Sequence, residues 1–285
     1  MYDFYLGVAP RTLDEELQYL LAVKRLLPRW INSVPDMQFI AICRLLHQVG
    51  ALAESQGERL CVVETGTGAS SIALAYYAMK HNGLAFTWDF NSKKGSEVRS
   101  ACVETFGNLF PEQSISSAWR LIAYHSLSAH LGLPAIKEWS PVVHFSYHDS
   151  EHTWANLGQE LTLVDPFLKD GSIVCIDDAY YEFLHTDEAY LNVMRRKQGL
   201  PPVAQLADNR TLPHYQEFEN LLRTRWSEMT FVGEAYRAAC RDDLSIAYFS
   251  NELAVRSELG MDKVRQLETR FSAWQVSKRK ETTAR

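Results

Sequence analysis

Acidic side chains follow two apolar runs in the second half of this chain. The first cluster is His148-Asp149-Ser150-Glu151-His152, and the second is Asp177-Asp178, which begins 28 positions after Asp149. Carboxylates brought close together repel one another unless a cation holds them or one of them keeps a proton. Soft ligands are absent from both clusters, so a bound metal would be a hard cation, Mg²⁺ or Ca²⁺ rather than Zn²⁺.

The elements around the two clusters predict that they meet. Residues 141–147 and 172–176 are short apolar runs, typical of buried parallel strands. A helix-length stretch from Thr153 to Leu168 lies between them, and Lys169-Asp170-Gly171 closes it. In a β-α-β unit both strands point the same way, so the residues just past each strand lie at one edge of the sheet. Three carboxylates and a histidine are therefore expected to converge at that edge.

His152 follows Asp149 by three residues, and its role has two interpretations. A neutral imidazole at this position accepts a hydroxyl proton as a general base, or it hydrogen-bonds to Asp149 and orients that carboxylate. The carboxylates have structural interpretations as well, because Asp149 and Asp178 can each cap a following helix. Asp177 is harder to explain without a cation.

A glycine-containing turn follows the first predicted strand. The strand ends at Glu64, and Gly66 and Gly68 let the backbone approach a ligand at the N-terminus of the next helix, where Ser70 also lies. A tight structural turn is the alternative. The dinucleotide fingerprint requires glycine at position 71, but the residue there is Ser71. An anionic Glu64 beside the turn suits an ammonium group and would repel a pyrophosphate.

Asp89 ends the second predicted strand, 25 residues after Glu64. A carboxylate at this strand end is placed to accept hydrogen bonds from both ribose hydroxyls, whereas the alternative is a surface aspartate that opens a turn with Asn91. Together the two carboxylates predict a ligand with a ribose and a cationic amino-acid part. S-adenosylmethionine fits that description, and Ser126 at the end of the third strand is a further candidate contact.

Two motifs carry a resemblance to known enzymes. The stretch from Val62 to Gly68 resembles the first motif of class I S-adenosylmethionine-dependent methyltransferases, and the resemblance covers about residues 58–250. Asp149-x-x-His152, followed by a helix, Gly171 and Asp177-Asp178, resembles metal-dependent sugar and natural-product O-methyltransferases of the macrocin type. It is also similar to the related cephalosporin hydroxylases and, less closely, to catechol O-methyltransferases.

The resemblance implies specific roles for these residues. Asp149, Asp177 and Asp178 would hold Mg²⁺, and His152 would act as the base. The activity would be methyl transfer to a hydroxyl group of a small sugar, natural product or catechol-like molecule. The chain departs from the pattern at His125-Ser126, where an acidic residue near the adenine is common.

Strand–helix alternation, repeated five times, predicts a Rossmann-like, doubly wound and mostly parallel sheet. An antiparallel edge hairpin is expected from residues 229–234 and 244–249, joined across 241–243. The predicted domains are an N-terminal helical segment (1–56), a methyltransferase domain (57–250) whose variable segment 182–226 forms the acceptor pocket or lid, and a C-terminal part (251–285) with a long helix over 251–280 and a basic tail.

Composition limits the classes of binding partner and the cellular compartment that we expect for this protein. The chain has 285 residues, a net charge of −6 and a pI of about 5.9, which argue against a nucleic-acid partner. No run approaches the roughly 18 apolar residues of a membrane span. The five cysteines form no C-x-x-C pair, as expected in a reducing compartment. We therefore expect a cytoplasmic protein with a small-molecule acceptor, and a homodimer through its terminal helices.

The leading hypothesis is thus a metal-dependent O-methyltransferase. One alternative keeps the fold and the metal but replaces methyl transfer by another reaction, such as hydroxylation. A second alternative is a non-catalytic ligand-binding protein, for which His125 in place of an acidic residue would be the first sign. Transfer of a labelled methyl group separates the leading hypothesis from both alternatives.

Overall fold

A computed structural model of the protein describes residues 9–122, 142–150, 154–177, 228–231 and 272–277, together with residues 6, 140 and 196. In these parts the strands are β1 (Cys61–Thr65), β2 (Leu84–Trp88), β3 (Trp119–Ile122), β4 (Val143–His148), β5 (Leu168–Ile176), β6 (Glu228–Phe231) and β7 (Ser272–Ser277). The α-helices are α1 (Leu13–Lys24), α2 (Asp36–Ser55), α3 (Ala69–Lys80), α4 (Ser92–Phe106), α5 (Ile115–Ala118) and α6 (Trp154–Val164), and a 3₁₀ turn (Asp165–Phe167) follows α6.

The strands form one sheet in the order β3-β2-β1-β4-β5-β7-β6. Neighbours from β3 to β5 are parallel, and β7 pairs antiparallel with both β5 and β6. The predicted Rossmann-like, mostly parallel sheet with an antiparallel edge pair is confirmed. The strand order reverses between β1 and β4, and in open parallel sheets the ligand cleft lies at the carboxyl ends of the strands at such a reversal.

The C-terminal part of the fold differs from the expectation in two ways. Residues 272–277 form a strand, so the predicted helix over 251–280 is wrong there, and the rest of that range lies outside the described residues. The first strand of the predicted edge hairpin is present as β6, but its partner is β7 rather than residues 244–249, which also lie outside the described residues. Because residues 232–271 separate β6 from β7, the pair is not a hairpin.

The side chains of β7 alternate between the two buried faces of the sheet. Ala273 packs in the apolar layer on one face of the sheet, while Trp274 and Val276 pack in the layer on the other face. Side chains of a strand alternate between faces in this way. Phe271 and Trp274 are three positions apart, as on one face of a helix, whereas Trp274 and Val276 are two apart, as on one face of a strand. Pairing with β5 decides between the two.

The two N-terminal helices are confirmed and pack on the sheet with α3, α4 and α5, whereas α6 packs on the opposite face. A capping box starts α1, because the Glu15 amide donates to Thr12 Oγ1 (3.2 Å) and the Thr12 amide donates to Glu15 Oε2 (3.1 Å). Lys24 at the end of α1 pairs with Asp36 at the start of α2 (2.7 Å), which joins the two helices. None of the described helices is long and apolar enough to cross a membrane.

Candidate functional site

Backbone hydrogen bonds join the carboxyl ends of β1, β4 and β5. The Asp149 amide donates to the carbonyl oxygen of Thr65 (2.9 Å), and the Asp177 amide donates to the carbonyl oxygen of His148 (3.0 Å). Asp149 and Asp177, both partly buried, therefore lie on adjacent strand ends, as the β-α-β argument predicts. Asp178 and His152 lie outside the described residues.

Gly66 lets the turn after β1 and the loop after β4 approach each other closely. Its φ of +85° lies in the left-handed region, and a Cβ placed there would clash with the carbonyl oxygen of Asp149. The Gly66 amide also donates to the carbonyl oxygen of Trp88 at the end of β2 (2.8 Å). The glycine turn is thus held between β2 and the residue predicted to bind the metal. Gly68 directly precedes α3, and its amide donates to Ser71 Oγ (3.2 Å).

Glu64 lies fully buried beneath this turn. Its Oε2 accepts from Ser70 Oγ (2.9 Å), and its Oε1 accepts from Thr87 Oγ1 (2.6 Å). Burial raises the pKa of the Glu64 carboxyl to about 8. A carboxyl that is largely neutral at pH 7 and enclosed by hydroxyl groups is suited to supporting the turn, rather than to meeting an ammonium group directly.

Asp89 ties the end of β2 to the glycine turn. Its Oδ2 accepts from the Thr67 amide (2.7 Å), and its Oδ1 accepts from the Asn91 amide (2.6 Å). The sequence predicted, as an alternative, that Asp89 opens a turn with Asn91, and this contact is present. Each carboxylate oxygen has a second lone pair, so these contacts leave the ribose role open. Ser126 and His125 lie outside the described residues.

Among the buried polar atoms that have no hydrogen-bond partner in the described residues, two lie in the segments that border Gly68. One is Thr67 Oγ1, on a side chain that is 2% exposed, and the other is Asn32 Oδ1. Asn32 follows Ile31, whose carbonyl oxygen would lie 3.5 Å from a Cβ placed at Gly68. Buried polar groups normally have partners, so a polar ligand at the turn would satisfy Thr67.

Gln38 connects α2 to the strand ends. Its Nε2 donates to Asp177 Oδ1 and to the hydroxyl of Tyr147 on β4 (3.0 Å), and its side chain is buried. Sequence reasoning missed this residue, since a single glutamine on an amphipathic helix carries no distinguishing signal.

Within the described ranges, no group of three or more His, Cys, Asp or Glu side chains could hold a metal ion.

A buried polar cluster lies on the α6 side of the same edge. Glu160 Oε2 accepts from Thr65 Oγ1 (2.7 Å) and lies 3.0 Å from His148 Nδ1, and Glu160 Oε1 accepts from Ser150 Oγ (2.6 Å). His148 Nε2 lies 3.2 Å from Ser146 Oγ. This Ser-His-Glu chain has the connectivity of a nucleophile with its base, but Ser146 is fully buried and has no access to a substrate.

His144 and His148 lie on the same strand, and their partners distinguish them. His144 Nδ1 accepts from the Cys61 amide (3.1 Å) at the amino end of β1, and its Nε2 lies 2.8 Å from Glu58 Oε2. Burial lowers the pKa of His144. This histidine therefore supports the opposite end of the sheet, while His148 belongs to the polar cluster at the candidate site.

Comparisons with known proteins give structural neighbours. No protein-family profile matches the chain, and no curated protein matches it. An O-methyltransferase from Bacillus cereus in complex with SAH is 16% identical and has a TM-score of 0.43, with 81% of this chain and 91% of that chain covered. The O-methyltransferase TomG from Streptomyces achromogenes, involved in tomaymycin synthesis and in complex with SAM, is 15% identical with a TM-score of 0.44, covering 80% and 85%.

A third neighbour is the methyltransferase MycE from the mycinamycin biosynthetic pathway, in complex with Mg, SAH and mycinamycin VI. It is 13% identical, and the match covers 62% of this chain and 41% of that chain with a TM-score of 0.34. These three TM-scores lie below 0.5. Likeness at this level assigns no function to this chain.

Proposed function

We propose that this protein is an S-adenosylmethionine-dependent O-methyltransferase that uses a hard divalent cation and acts on a hydroxyl group of a small molecule. One observation carries the proposal: Gly66 of the ligand-binding turn packs directly against the backbone of Asp149, the predicted metal ligand. A cofactor on the turn and a cation on the carboxylates would therefore lie side by side at the carboxyl edge of the sheet.

The residues at the turn fit the cofactor. Thr67 presents a buried hydroxyl oxygen without a hydrogen-bond partner among the described residues. The turn leads directly into α3, and the positive end of the helix dipole there favours a carboxylate. Asp89 would bind the ribose hydroxyls. Glu64 and Ser70 would hold the turn in shape through their mutual hydrogen bond, and Ser126 remains a proposed contact outside the described residues.

The donor set also fits a hard cation. Asp149 and Asp177 contribute carboxylate oxygens from adjacent strand ends, and Gln38 restrains Asp177 by donating to its Oδ1. Oxygen ligands of this kind suit Mg²⁺ or Ca²⁺. Asp178 completes the proposed set of ligands.

Each proposed site residue has a separate role in the reaction. Asp149, Asp177 and Asp178 would hold the cation, and Gly66 and Gly68 would orient the cofactor beside it. His152 would take the proton from the acceptor hydroxyl. When bound, the cation would lower the pKa of the acceptor hydroxyl, and the cofactor would supply the methyl group. Catalysis would come mostly from orienting the two reactants in one cleft.

Transfer of labelled methyl groups to a panel of diols, catechols and glycosides tests the proposal. Activity should vanish in EDTA and return with Mg²⁺. Asp149→Asn should abolish the rescue by metal. His152→Ala should retain metal binding and lose about 100-fold or more in turnover, the usual scale for a positioned base.

The outcomes separate the competing roles. Full activity in chelator would refute the metal site. Loss of metal binding in His152→Ala would make that histidine a ligand or an orienting partner instead of the base. Cofactor binding without any methyl transfer would favour the hydroxylase-like or the non-catalytic alternative.

A further inference from the structure

Glu160 on α6 contacts residues beside the turn after β1 and residues in the loop after β4. It lies on the face of the sheet opposite the N-terminal helices. Its carboxyl group, on a side chain only 1% exposed, accepts from Thr65 Oγ1 (2.7 Å) and from Ser150 Oγ (2.6 Å), and it lies 3.0 Å from His148 Nδ1. Thr65 directly precedes Gly66, and His148 and Ser150 flank Asp149 on both sides. One carboxyl group on α6 therefore holds the residues next to the cofactor turn and those next to the metal ligand.

Backbone contacts also join the turn after β1 to the loop after β4. The Asp149 amide donates to the carbonyl oxygen of Thr65 (2.9 Å), and Gly66 leaves room for the Asp149 carbonyl group that any Cβ would occupy. The two loops thus share a hydrogen bond, a close packing contact and one buried carboxyl group. Each loop has a hydrogen-bond partner on Glu160, so the positions of the two loops are tied to the same side chain.

We propose that Glu160 is a positioning residue that locks the loop carrying Asp149 onto the glycine turn and thereby couples metal binding to cofactor binding. This proposal rests on the proposed function, because it requires a cation at Asp149 and a cofactor at Gly66. Residues that hydrogen-bond to a metal ligand commonly change metal affinity or activity by about 10- to 100-fold when they are mutated. Glu160 contacts His148 and Ser150, which are the neighbours of Asp149, so its effect on metal affinity should be smaller. A ligand that orders the turn after β1 or the loop after β4 then also favours the ordered conformation of the other one.

Calorimetry on the full chain measures the coupling. Mg²⁺ is titrated with and without S-adenosylhomocysteine, and the ratio of the two affinities is the coupling factor. In the wild type this factor should exceed about 5. Glu160→Gln, which keeps the size of the side chain but replaces an acceptor oxygen by an amide, should lower the coupling factor, while the backbone bond from Asp149 to Thr65 retains part of it. It should also weaken Mg²⁺ binding, by less than the roughly 10-fold typical of a direct partner of a metal ligand.

Glu16→Gln is the matched control. Glu16 is another buried carboxyl group, which accepts from Tyr77 Oη (3.3 Å) and pairs with Lys80 on the helical side of the protein. It touches neither loop of the candidate site in the contacts described above. Its substitution should lower the melting temperature while the coupling factor stays at the wild-type value, which separates loss of stability from loss of positioning.

Two milder variants keep the test decisive if Glu160→Gln does not fold. Thr65→Val removes the link to the turn, and it should weaken S-adenosylhomocysteine binding more than Mg²⁺ binding. Ser150→Ala removes a link beside Asp149 and should do the reverse. Unchanged affinities and coupling in the folded variants would overturn the role of Glu160. A wild-type chain that binds neither ligand would overturn the proposed function itself, and the coupling with it.

Discussion

At the scale of single residues, Glu64 shows how burial changes the chemistry that a residue type suggests. An exposed carboxylate at the end of β1 would be an anion at pH 7, but this one is enclosed by the hydroxyl groups of Ser70 and Thr87. Its pKa of about 8 means that the folded protein binds a proton which the unfolded chain releases near pH 4.5. The free energy of unfolding must therefore depend on pH through this residue.

Glu64→Gln should stabilise the protein at pH 8 relative to the wild type. Between about pH 4.5 and 8 the folded state binds more protons at Glu64 than the unfolded state, so its contribution to stability is present at low pH and is lost as the pH rises. Glutamine cannot ionise and avoids this loss. Urea unfolding at pH 5 and pH 8 measures this. The free energy of unfolding of Glu64→Gln minus that of the wild type should increase by about a few kcal/mol between the two pH values. The exposed Glu97→Gln serves as a control, and a difference that stays constant with pH would contradict the prediction.

Asp89→Ala should weaken binding of S-adenosylhomocysteine by about 1 kcal/mol or more, because it removes charge-assisted hydrogen bonds to the ribose and the acceptor that holds the Thr67 amide (2.7 Å). Calorimetry measures the change. Asp14→Ala, at a side chain that is 69% exposed on α1, should bind as the wild type does. Equal affinity in the Asp89 variant would remove this residue from the cofactor site.

At the scale of elements, the sheet depends on a strand from near the C-terminal end of the sequence. β7 lies between β5 and β6 and pairs antiparallel with both. Its Trp274 is fully buried with Ile176 and Val174 in the layer that α6 also covers. Since β5 leads directly to Asp177, the packing of β7 also fixes the strand that presents a predicted metal ligand.

Trp274→Ala should lower the free energy of unfolding by about 3–5 kcal/mol, the usual cost of removing a buried aromatic side chain. Urea unfolding monitored by circular dichroism tests this directly. Gln275→Ala, on the neighbouring and partly exposed position of β7, should cost much less. Deletion of residues 251–285 removes β7 and should destabilise the chain further. If the truncated protein melts as the full chain does, β7 is not an integral part of the sheet.

At the scale of the whole molecule, both faces of the sheet contribute to one edge. Gln38 reaches Asp177 from the N-terminal helices, and Glu160 reaches Thr65 and Ser150 from α6. The N-terminal helical segment is thus part of the site rather than an appendage to it. Ligands that bind this edge should stabilise the entire described fold, because its helices and strands meet there.

S-adenosylhomocysteine at 100 times its dissociation constant should add about 2.7 kcal/mol to the stability of the protein. For a chain of this size the melting temperature should rise by roughly 4–5 °C. NAD⁺ is the matched control, since position 71 is Ser rather than the glycine of the dinucleotide fingerprint. A larger shift with NAD⁺ than with S-adenosylhomocysteine would reverse the assignment of the turn.

The sequence by itself determined the sheet and the edge at which the candidate residues lie. Alternating strands and helices dictate a parallel sheet, and because the strands of a β-α-β unit point the same way, the residues after each strand lie at one edge. The adjacency of Asp149 and Asp177 followed from these local signals. The sequence predicted that Gly66 lets the backbone approach a ligand, and the structure places the Asp149 backbone against Gly66. The exact partner of Gly66, which is the Asp149 carbonyl group, did not follow from the local signals.

Only the tertiary structure decided which polar groups support the site. Gln38 and Asp177 are 139 positions apart, and Thr65 and Glu160 are 95 apart, so no local pattern relates them. The protonation of Glu64 depends on burial by residues from other elements. β7 is a strand rather than part of a helix because it pairs with β5, and apolar spacing that suits both periods cannot report that long-range hydrogen bonding.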